Sequence, residues 1–230
     1  MKRFLFLIFA LCLSPILSAK PLVPFDSSFV LTRGPLTLGH AQFQLQAIAG
    51  EGECYLYQYR AKPQGLARLF IGQIQERSEF CVVEDQIRSQ RFSFSRADKE
   101  KDNFKLEFDW QNGLVRSSTG EQRKLDETMM DRLVMQLAVK RWAMSQEGEP
   151  GPAEYTATKV EDDRAKTYRF RIVAQERIEV PAGTFDTVRV ERVDKSRRST
   201  RFWAAPALDY ALIRVEQTKD GDEQLKMERQ

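Results

Sequence analysis

The stretch FWAAPALDYALIRVEQ, residues 202–217, carries the clearest local signals for the fold of this chain. An adjacent Phe202–Trp203 pair is followed by Pro206, and a run of alternating apolar and polar residues begins at Tyr210. Proline has no backbone donor, so it lies at the edge of a sheet or between two strands. The stretch therefore predicts two strands joined by a corner at Pro206. The aromatic pair leaves open whether this corner is a binding surface or part of the core.

Short strand-like runs of the same kind occupy most of the chain from Ser28 onward. Alternating runs flank Glu84-Asp85, and another two flank Asn112-Gly113. Asn-Gly between such runs is the strongest short-range signal for a hairpin, because both residues tolerate positive φ. The pattern predicts about a dozen strands that follow one another as antiparallel neighbours.

One segment changes to helical spacing. Asp126 is a suitable cap for a helix that begins at Glu127 and ends in EGEPGP, residues 147–152. Apolar residues cover nearly every side of this segment, so we expect the helix to be buried on more than one face. The members of its main apolar face are Met129, Met130, Leu133, Val134, Leu137 and Ala138.

These patterns predict a mainly β protein with a curved, partly closed antiparallel sheet. The one principal helix is expected to pack on the concave face of that sheet. Residues 20–230 are expected to form a single β-rich domain, since all-β folds of this length commonly do.

The first 19 residues have the features of a cleavable signal peptide. Lys2 and Arg3 precede a short apolar run, and small residues come just before Lys20-Pro21. No apolar run downstream is long enough to cross a bilayer. Cleavage removes two positive charges, so the formal charge of +3 becomes 3 − 2 = +1. The mature chain therefore has no electrostatic basis for binding nucleic acid.

Two cysteines, Cys54 and Cys81, remain after cleavage. In an exported protein such a pair stays oxidised, so we predict a disulfide. Two free thiols, or a metal site shared with His40, are the alternatives, and the metal site lacks any paired-ligand spacing.

Signals for catalysis are weak. His40 is the only histidine, and no Gly-x-Ser-x-Gly motif is present. The acidic residues 161–163 lack the glycine and the ligand spacing of a calcium loop. The basic residues Lys195, Arg197, Arg198 and Arg201 lie between two strands and are interpreted as a solvated hairpin end. We therefore expect no enzyme activity, no cofactor and no metal.

The apolar side chains of the helix allow two interpretations. Methionine fills irregular space, and a helix over a curved sheet can enclose a cavity for a hydrophobic ligand. Leu133, Leu137 and Trp203 are the candidate lining residues of such a pocket. The same residues would fill an ordinary core, and the sequence pattern does not separate the two cases.

The C-terminal third resembles the domain-of-unknown-function 3108 family of exported bacterial proteins. The resemblance rests on a turn and a corner followed by a strand, with the opening hairpin in residues 31–45 also similar. Its matching residues are Pro181, Ala182, Gly183, Phe185, Trp203, Ala205, Pro206, Tyr210 and Arg214. Leu212 departs from the pattern, since a proline is expected there.

The family is similar in architecture to the periplasmic lipoprotein carriers. That likeness implies a curved sheet with an apolar concavity and a lipid-like ligand, but no catalytic residues. We therefore expect a soluble periplasmic protein of a Gram-negative bacterium that binds or carries a hydrophobic molecule. The alternative is an interaction or scaffold protein for a cell-envelope assembly.

Overall fold

The computed structural model describes residues 22–230. Their one α-helix is α1 (Val134–Ser145), and three short 3₁₀ helices span Gly65–Leu69, Glu100–Asp102 and Pro206–Leu208. The strands are β1 (Phe25–Arg33), β2 (Leu36–Ala47), β3 (Cys54–Pro63), β4 (Ile74–Val83), β5 (Gln86–Arg96), β6 (Phe104–Asp109), β7 (Leu114–Ser117), β8 (Gln122–Lys124), β9 (Met129–Asp131), β10 (Glu154–Val160), β11 (Ala165–Val180), β12 (Gly183–Arg192), β13 (Arg198–Ala205), β14 (Ala211–Lys219) and β15 (Asp222–Arg229).

All fifteen of these strands belong to one sheet. Strand β1 pairs with the last strand β15, with Phe29 opposite Arg229, so the two ends of the described chain meet in the middle of the sheet. Successive strands extend from β1 to β8 on one side and from β15 back to β9 on the other. The predicted mainly β class is confirmed, as a large open sheet that curls.

Buried and exposed residues alternate along the strands, so that one face of a strand lies in the interior. In β6, Phe104, Leu106 and Phe108 are buried while Lys105 and Glu107 are exposed. This is the period of two that the sequence showed, because successive side chains of a strand point to opposite faces.

The two predicted hairpins are present, with turns that differ in detail. Glu84 and Asp85 form a two-residue turn between β4 and β5, and both have positive φ although neither is glycine. Between β6 and β7 only Gly113 has positive φ. There Asp109 accepts a hydrogen bond from the backbone N–H of Asn112 at 3.0 Å, which stabilises a wider turn.

The helix is shorter than predicted, which corrects its start at Glu127. Met129–Asp131 form strand β9, which pairs in parallel with β10, and α1 begins only at Val134. Tertiary pairing thus overrides the helical spacing of Met129 and Met130. The helix ends as predicted, because Glu147 and Gly148 adopt positive φ.

The buried carboxylate of Asp131 fixes the position of the helix. Its Oδ1 accepts hydrogen bonds from the backbone N–H groups of Leu133 and Val134, both at 3.0 Å. Its Oδ2 accepts the hydroxyls of Ser78 at 2.6 Å and Ser89 at 2.7 Å. Burial raises the pKa of Asp131, and these four donors oppose that shift. One side chain therefore caps the helix and joins β9 to β4 and β5.

Arg132, the residue after β9, also connects this end of the chain to β4 and β5. Its guanidinium donates to Glu76 on β4 and lies 4.3 Å from the ring centroid of Phe94 on β5. In sheet order, β9 is one edge strand, whereas β4 and β5 lie in the other half. The sheet must curl for these contacts to form.

The helix packs into the largest apolar cluster of the described chain. Leu133, Val134, Leu137 and Ala138 share this cluster with side chains from both halves of the sheet. Burial on more than one side therefore agrees with the prediction. The location of α1 on the concave face stays a prediction.

The predicted Cys54–Cys81 disulfide is present in the structure. The two residues lie directly opposite each other at one end of the β3–β4 pair. The bond therefore joins the two strands where the loop before β3 ends. The predicted signal peptide, residues 1–19, lies outside the described residues, and the single-domain boundary at residue 20 stays a prediction.

Replacing Asp131 with alanine should lower the free energy of unfolding by about 3 kcal/mol. Two hydroxyls and two backbone N–H groups would lose their acceptor in a buried site. Urea denaturation measures the loss. Asp163→Ala, at an exposed position in the β10–β11 turn, should change the stability by less than about 0.5 kcal/mol. Equal stability of the two variants would contradict this role of Asp131.

Replacing both Cys54 and Cys81 with alanine should lower the free energy of unfolding by about 3.5 kcal/mol. The chain-entropy model gives this magnitude for a loop closed over a separation of 27 residues. The urea midpoint of the double variant should match that of the wild-type protein under reducing conditions. An unchanged midpoint in both cases would show that the bond does not stabilise the fold.

Candidate functional site

A cavity of about 420 Å³ lies between the helix and the sheet. Its wall is formed by residues 23–29 at the start of β1, by one side of α1, and by β12 to β14 with the corner between β13 and β14. Most of the side chains in this wall are aromatic or aliphatic. The cavity is within the range of roughly 300–1,000 Å³ that small-molecule sites occupy.

The helix contributes a continuous stripe to the wall. Gln136, Val139, Lys140 and Ala143 recur at spacings of three and four residues, so they share one face. Leu137 lies beside this stripe and also lines the cavity. The opposite side of the helix packs in the apolar cluster described above, and several members of that cluster also line the cavity.

Aromatic rings form the sheet side of the wall. Phe43 on β2 contacts the ring of Phe29 at a centroid distance of 5.5 Å and that of Tyr57 at 5.9 Å. Phe25 lies 5.9 Å from Tyr57, edge to face. Burial raises the pKa of the Tyr57 hydroxyl, so it stays neutral at physiological pH. These rings offer an apolar surface to a ligand.

A few polar groups interrupt this surface. The side-chain oxygen of Gln136 is buried and has no hydrogen-bond partner among residues 22–230. The ammonium of Lys140 lies 5.8 Å from the ring centroid of Phe25. Arg229 reaches the carbonyl of Leu212 at 3.5 Å, a long contact for a hydrogen bond. An apolar pocket with a few polar groups is typical of sites that orient a hydrophobic ligand.

The corner predicted at Pro206 forms part of the cavity wall. Pro206 begins the 3₁₀ helix Pro206–Leu208, and Asp209 and Tyr210 then adopt left-handed φ values of 51° and 55°. Two such residues in succession reverse the chain and start β14. Ala207, Leu208 and Tyr210 line the cavity. The stretch is therefore both a structural corner and part of the cavity wall.

Gly148 holds the end of the helix against this corner. Its φ is 71°, and its backbone N–H donates to the carbonyl of Ala143 at 3.0 Å, which terminates α1. A Cβ at this position would lie 2.6 Å from Cγ2 of Val188 and 2.9 Å from the hydroxyl of Tyr210. Only glycine fits both the backbone conformation and the close contact.

Of the three residues predicted to line a pocket, only Leu137 lines the cavity. Leu133 is buried in the apolar cluster. Trp203 lies on the other face of β13, where its Nε1–H donates to Glu176 at 2.6 Å and Arg214 lies over its ring. Leu133 and Trp203 are therefore not among the residues that line this cavity. The neighbouring Phe202 faces the cavity instead, because adjacent residues of a strand point to opposite faces.

Most of the residues that line the cavity were not identified from the sequence. Phe25, Phe29, Phe43 and Leu212 come from strands that are distant in sequence, and their alternation showed only that they face inward. Leu212, which departs from the family pattern, lies at the cavity. Sequence reasoning had no signal to show which of these inward faces meets the helix.

Comparison with known proteins agrees with the resemblance of the C-terminal motifs. The family model described as "Protein of unknown function (DUF3108)" matches residues 28–228, nearly all of the described chain. This chain belongs to the DUF3108 family. The predicted family is therefore confirmed. Among curated proteins, none matches the chain.

Two solved structures are similar to this DUF3108 protein at low identity. A β-barrel-like protein of the domain of unknown function DUF1849 from Brucella abortus is 14% identical, with a TM-score of 0.54. That match covers 91% of this chain and 97% of the other, and at this identity it shows only the fold. A candidate exported protein with a YmcC-like fold from Bacteroides fragilis is 13% identical over 89% of this chain and 92% of its own, with a TM-score of 0.43.

Replacing Gly148 with alanine should lower the free energy of unfolding by about 2–4 kcal/mol. The new methyl group would meet Val188 and Tyr210, and the left-handed φ would be strained. Gly151→Ala is the matched control, since a Cβ there has no atom within 4 Å. Thermal or urea unfolding measures both. A Gly148 variant as stable as the Gly151 variant would show that the helix end is free to move from the corner.

Proposed function

We propose that this DUF3108 protein binds a hydrophobic or lipid-like molecule in the cavity between α1 and the sheet. The observation that supports the proposal most directly is the partly open cavity of about 420 Å³ between α1 and the sheet, whose wall is mostly apolar. A mostly apolar pocket of this size with a few polar groups is typical of small-molecule binding sites.

The chemistry of the wall supports an apolar ligand with one polar end. Phe25, Phe43 and Phe202 give it aromatic faces, and Leu137 and Leu212 give it aliphatic ones. The polar end would face the cationic side chains of Lys140 and Arg229, which also line the cavity. We propose binding without catalysis, because most side chains of the wall are aromatic or aliphatic.

We further propose that the protein acts after export, in the periplasm. Two features support this location. The first residues have the pattern of a cleavable signal peptide, and Cys54 and Cys81 form a disulfide, which persists in oxidising compartments. Within residues 22–230, no helix is long and apolar enough to cross a membrane.

The alternative of a scaffold that acts through its basic hairpin end has less support. Arg197, from that basic cluster, forms two hydrogen bonds of 2.7 Å with Asp220, and Arg201 lies 3.3 Å from Glu191. Charges that are paired within the chain contribute less to an external contact.

Native mass spectrometry of protein purified gently from the periplasm tests the ligand proposal. We expect an adduct that is lost on denaturation and that an added fatty acid or apolar dye replaces. Leu212→Gln should weaken uptake of the dye at least tenfold, because it places an amide in the apolar wall. Leu225→Gln is the matched control: Leu225 is a half-buried leucine on the neighbouring strand and does not line the cavity.

Both variants should lose similar stability, because both leucines pack against the same apolar cluster. Urea denaturation checks this, so a difference in dye uptake then reports on the cavity. Protein recovered repeatedly without an adduct, and without uptake of the dye, would refute the proposal. Equal uptake by the two variants would place binding elsewhere.

A further inference from the structure

Three large apolar side chains project into solvent from the segment between β3 and β4. Leu66, Leu69 and Phe70 are 73%, 74% and 76% exposed. They lie on and just after the 3₁₀ helix Gly65–Leu69, none of whose residues is buried. Single exposed apolar residues are common on protein surfaces, but a contiguous group marks a contact surface.

A fourth apolar residue lies at the same end of the sheet. Leu36, at the start of β2, is 56% exposed. The backbone N–H of Gln64 donates to the carbonyl of Leu38 at 2.8 Å, and Gly39 lies opposite Pro63. The turn between β1 and β2 therefore lies beside the segment that carries the other three. We call Leu36, Leu66, Leu69 and Phe70 the apolar tip.

Three unpaired cations lie on the segments that carry the apolar tip. Arg33, Lys62 and Arg68 are all exposed, and none has an ion-pair partner among the described residues. The two carboxylates nearby have partners: Glu223 accepts a hydrogen bond of 2.6 Å from the backbone N–H of Gly34, and Asp98, beside Gly72, pairs with Arg96 at 2.8 Å. An apolar group with unpaired cations beside it complements the surface of an anionic bilayer.

We propose that the apolar tip docks the protein on the surface of a membrane that contains anionic lipid. Leu66, Leu69 and Phe70 enter the boundary between headgroups and acyl chains, and Arg68 and Lys62 contact lipid phosphates. A stable protein interface buries roughly 800 Å² on each partner. Four side chains, each with at most about 150–250 Å², fall short of that area when only partly buried, but they suffice for shallow insertion into lipid.

This docking does not rest on ligand binding. The cavity lies at the start of β1, near Phe25, whereas the apolar tip lies beyond its end at Arg33. The two sites are therefore at opposite ends of the same strand. A variant that affects one site should leave the other unchanged.

Flotation of the disulfide-bonded mature protein with vesicles tests the proposal. We expect it to float with vesicles of phosphatidylcholine and phosphatidylglycerol, and to bind phosphatidylcholine vesicles much more weakly. The triple variant Leu66→Gln, Leu69→Gln, Phe70→Gln should lose at least tenfold in affinity. Arg68→Gln and Lys62→Gln should each lose about fivefold, and added salt should weaken binding of the wild-type protein.

Two controls separate docking from other effects. Phe70→Gln should weaken flotation, whereas Val83→Gln, which removes an exposed apolar residue at the other end of β4, should not. Leu212→Gln should float like the wild-type protein even if it loses its ligand. Unaltered urea midpoints of the tip variants would show that the fold is intact.

Failure of the wild-type protein to float with anionic vesicles would overturn the proposal. Equal flotation of the triple variant would also overturn it. If the wild-type protein forms a dimer that the triple variant does not form, and vesicles are not bound, the apolar tip is instead a contact between two copies of the chain. Analytical ultracentrifugation distinguishes that outcome.

Discussion

The buried carboxylate of Asp131 is the interaction on which the arrangement of the helix and the sheet depends. It accepts hydrogen bonds from the hydroxyls of Ser78 on β4 and Ser89 on β5, in one half of the sheet. Asp131 itself lies at the end of β9, in the other half, and it also accepts hydrogen bonds from two backbone N–H groups at the start of α1. A buried acceptor with four donors has a strong directional preference, whereas apolar packing has little. The carboxylate therefore specifies where the helix begins, and the remaining apolar contacts adapt to that position. The curl of the sheet follows from the same contacts, because β9 reaches β5 only if the two halves approach each other.

The cavity is a consequence of this arrangement. With its start held by Asp131 and its end held by Gly148 against the corner at Pro206, α1 spans the space between the halves at a set distance. One side of the helix packs in the main cluster, and the other faces the rings of β1 to β3 without filling the gap. Contacts at both ends of the helix hold it at this distance from the sheet, which leaves room for an apolar molecule.

The two proposed sites lie at opposite ends of β1, and their affinities would come from different interactions. The cavity is partly open and mainly apolar, so affinity there would come from removing apolar surface from water. The apolar tip is exposed and has three unpaired cations beside it, so its affinity would depend on both insertion and salt. Membership of the DUF3108 family and a shared fold at low identity are compatible with both, since a fold does not define a function.

The sequence by itself determined the local features: the alternating strands, the hairpin at Glu84-Asp85, the end of the helix, the Cys54–Cys81 pair and the family. These depend on neighbours along the chain or, for the cysteines, on being the two that remain after the predicted cleavage. Tertiary structure alone decided that Met129–Asp131 form a strand, because the partner β10 lies beyond the helix. It also decided that Phe202 lines the cavity, whereas Trp203 donates a hydrogen bond to Glu176 on the other face of the strand. Alternation gives two faces, but only the packing of distant elements decides which face meets the helix and which meets the solvent.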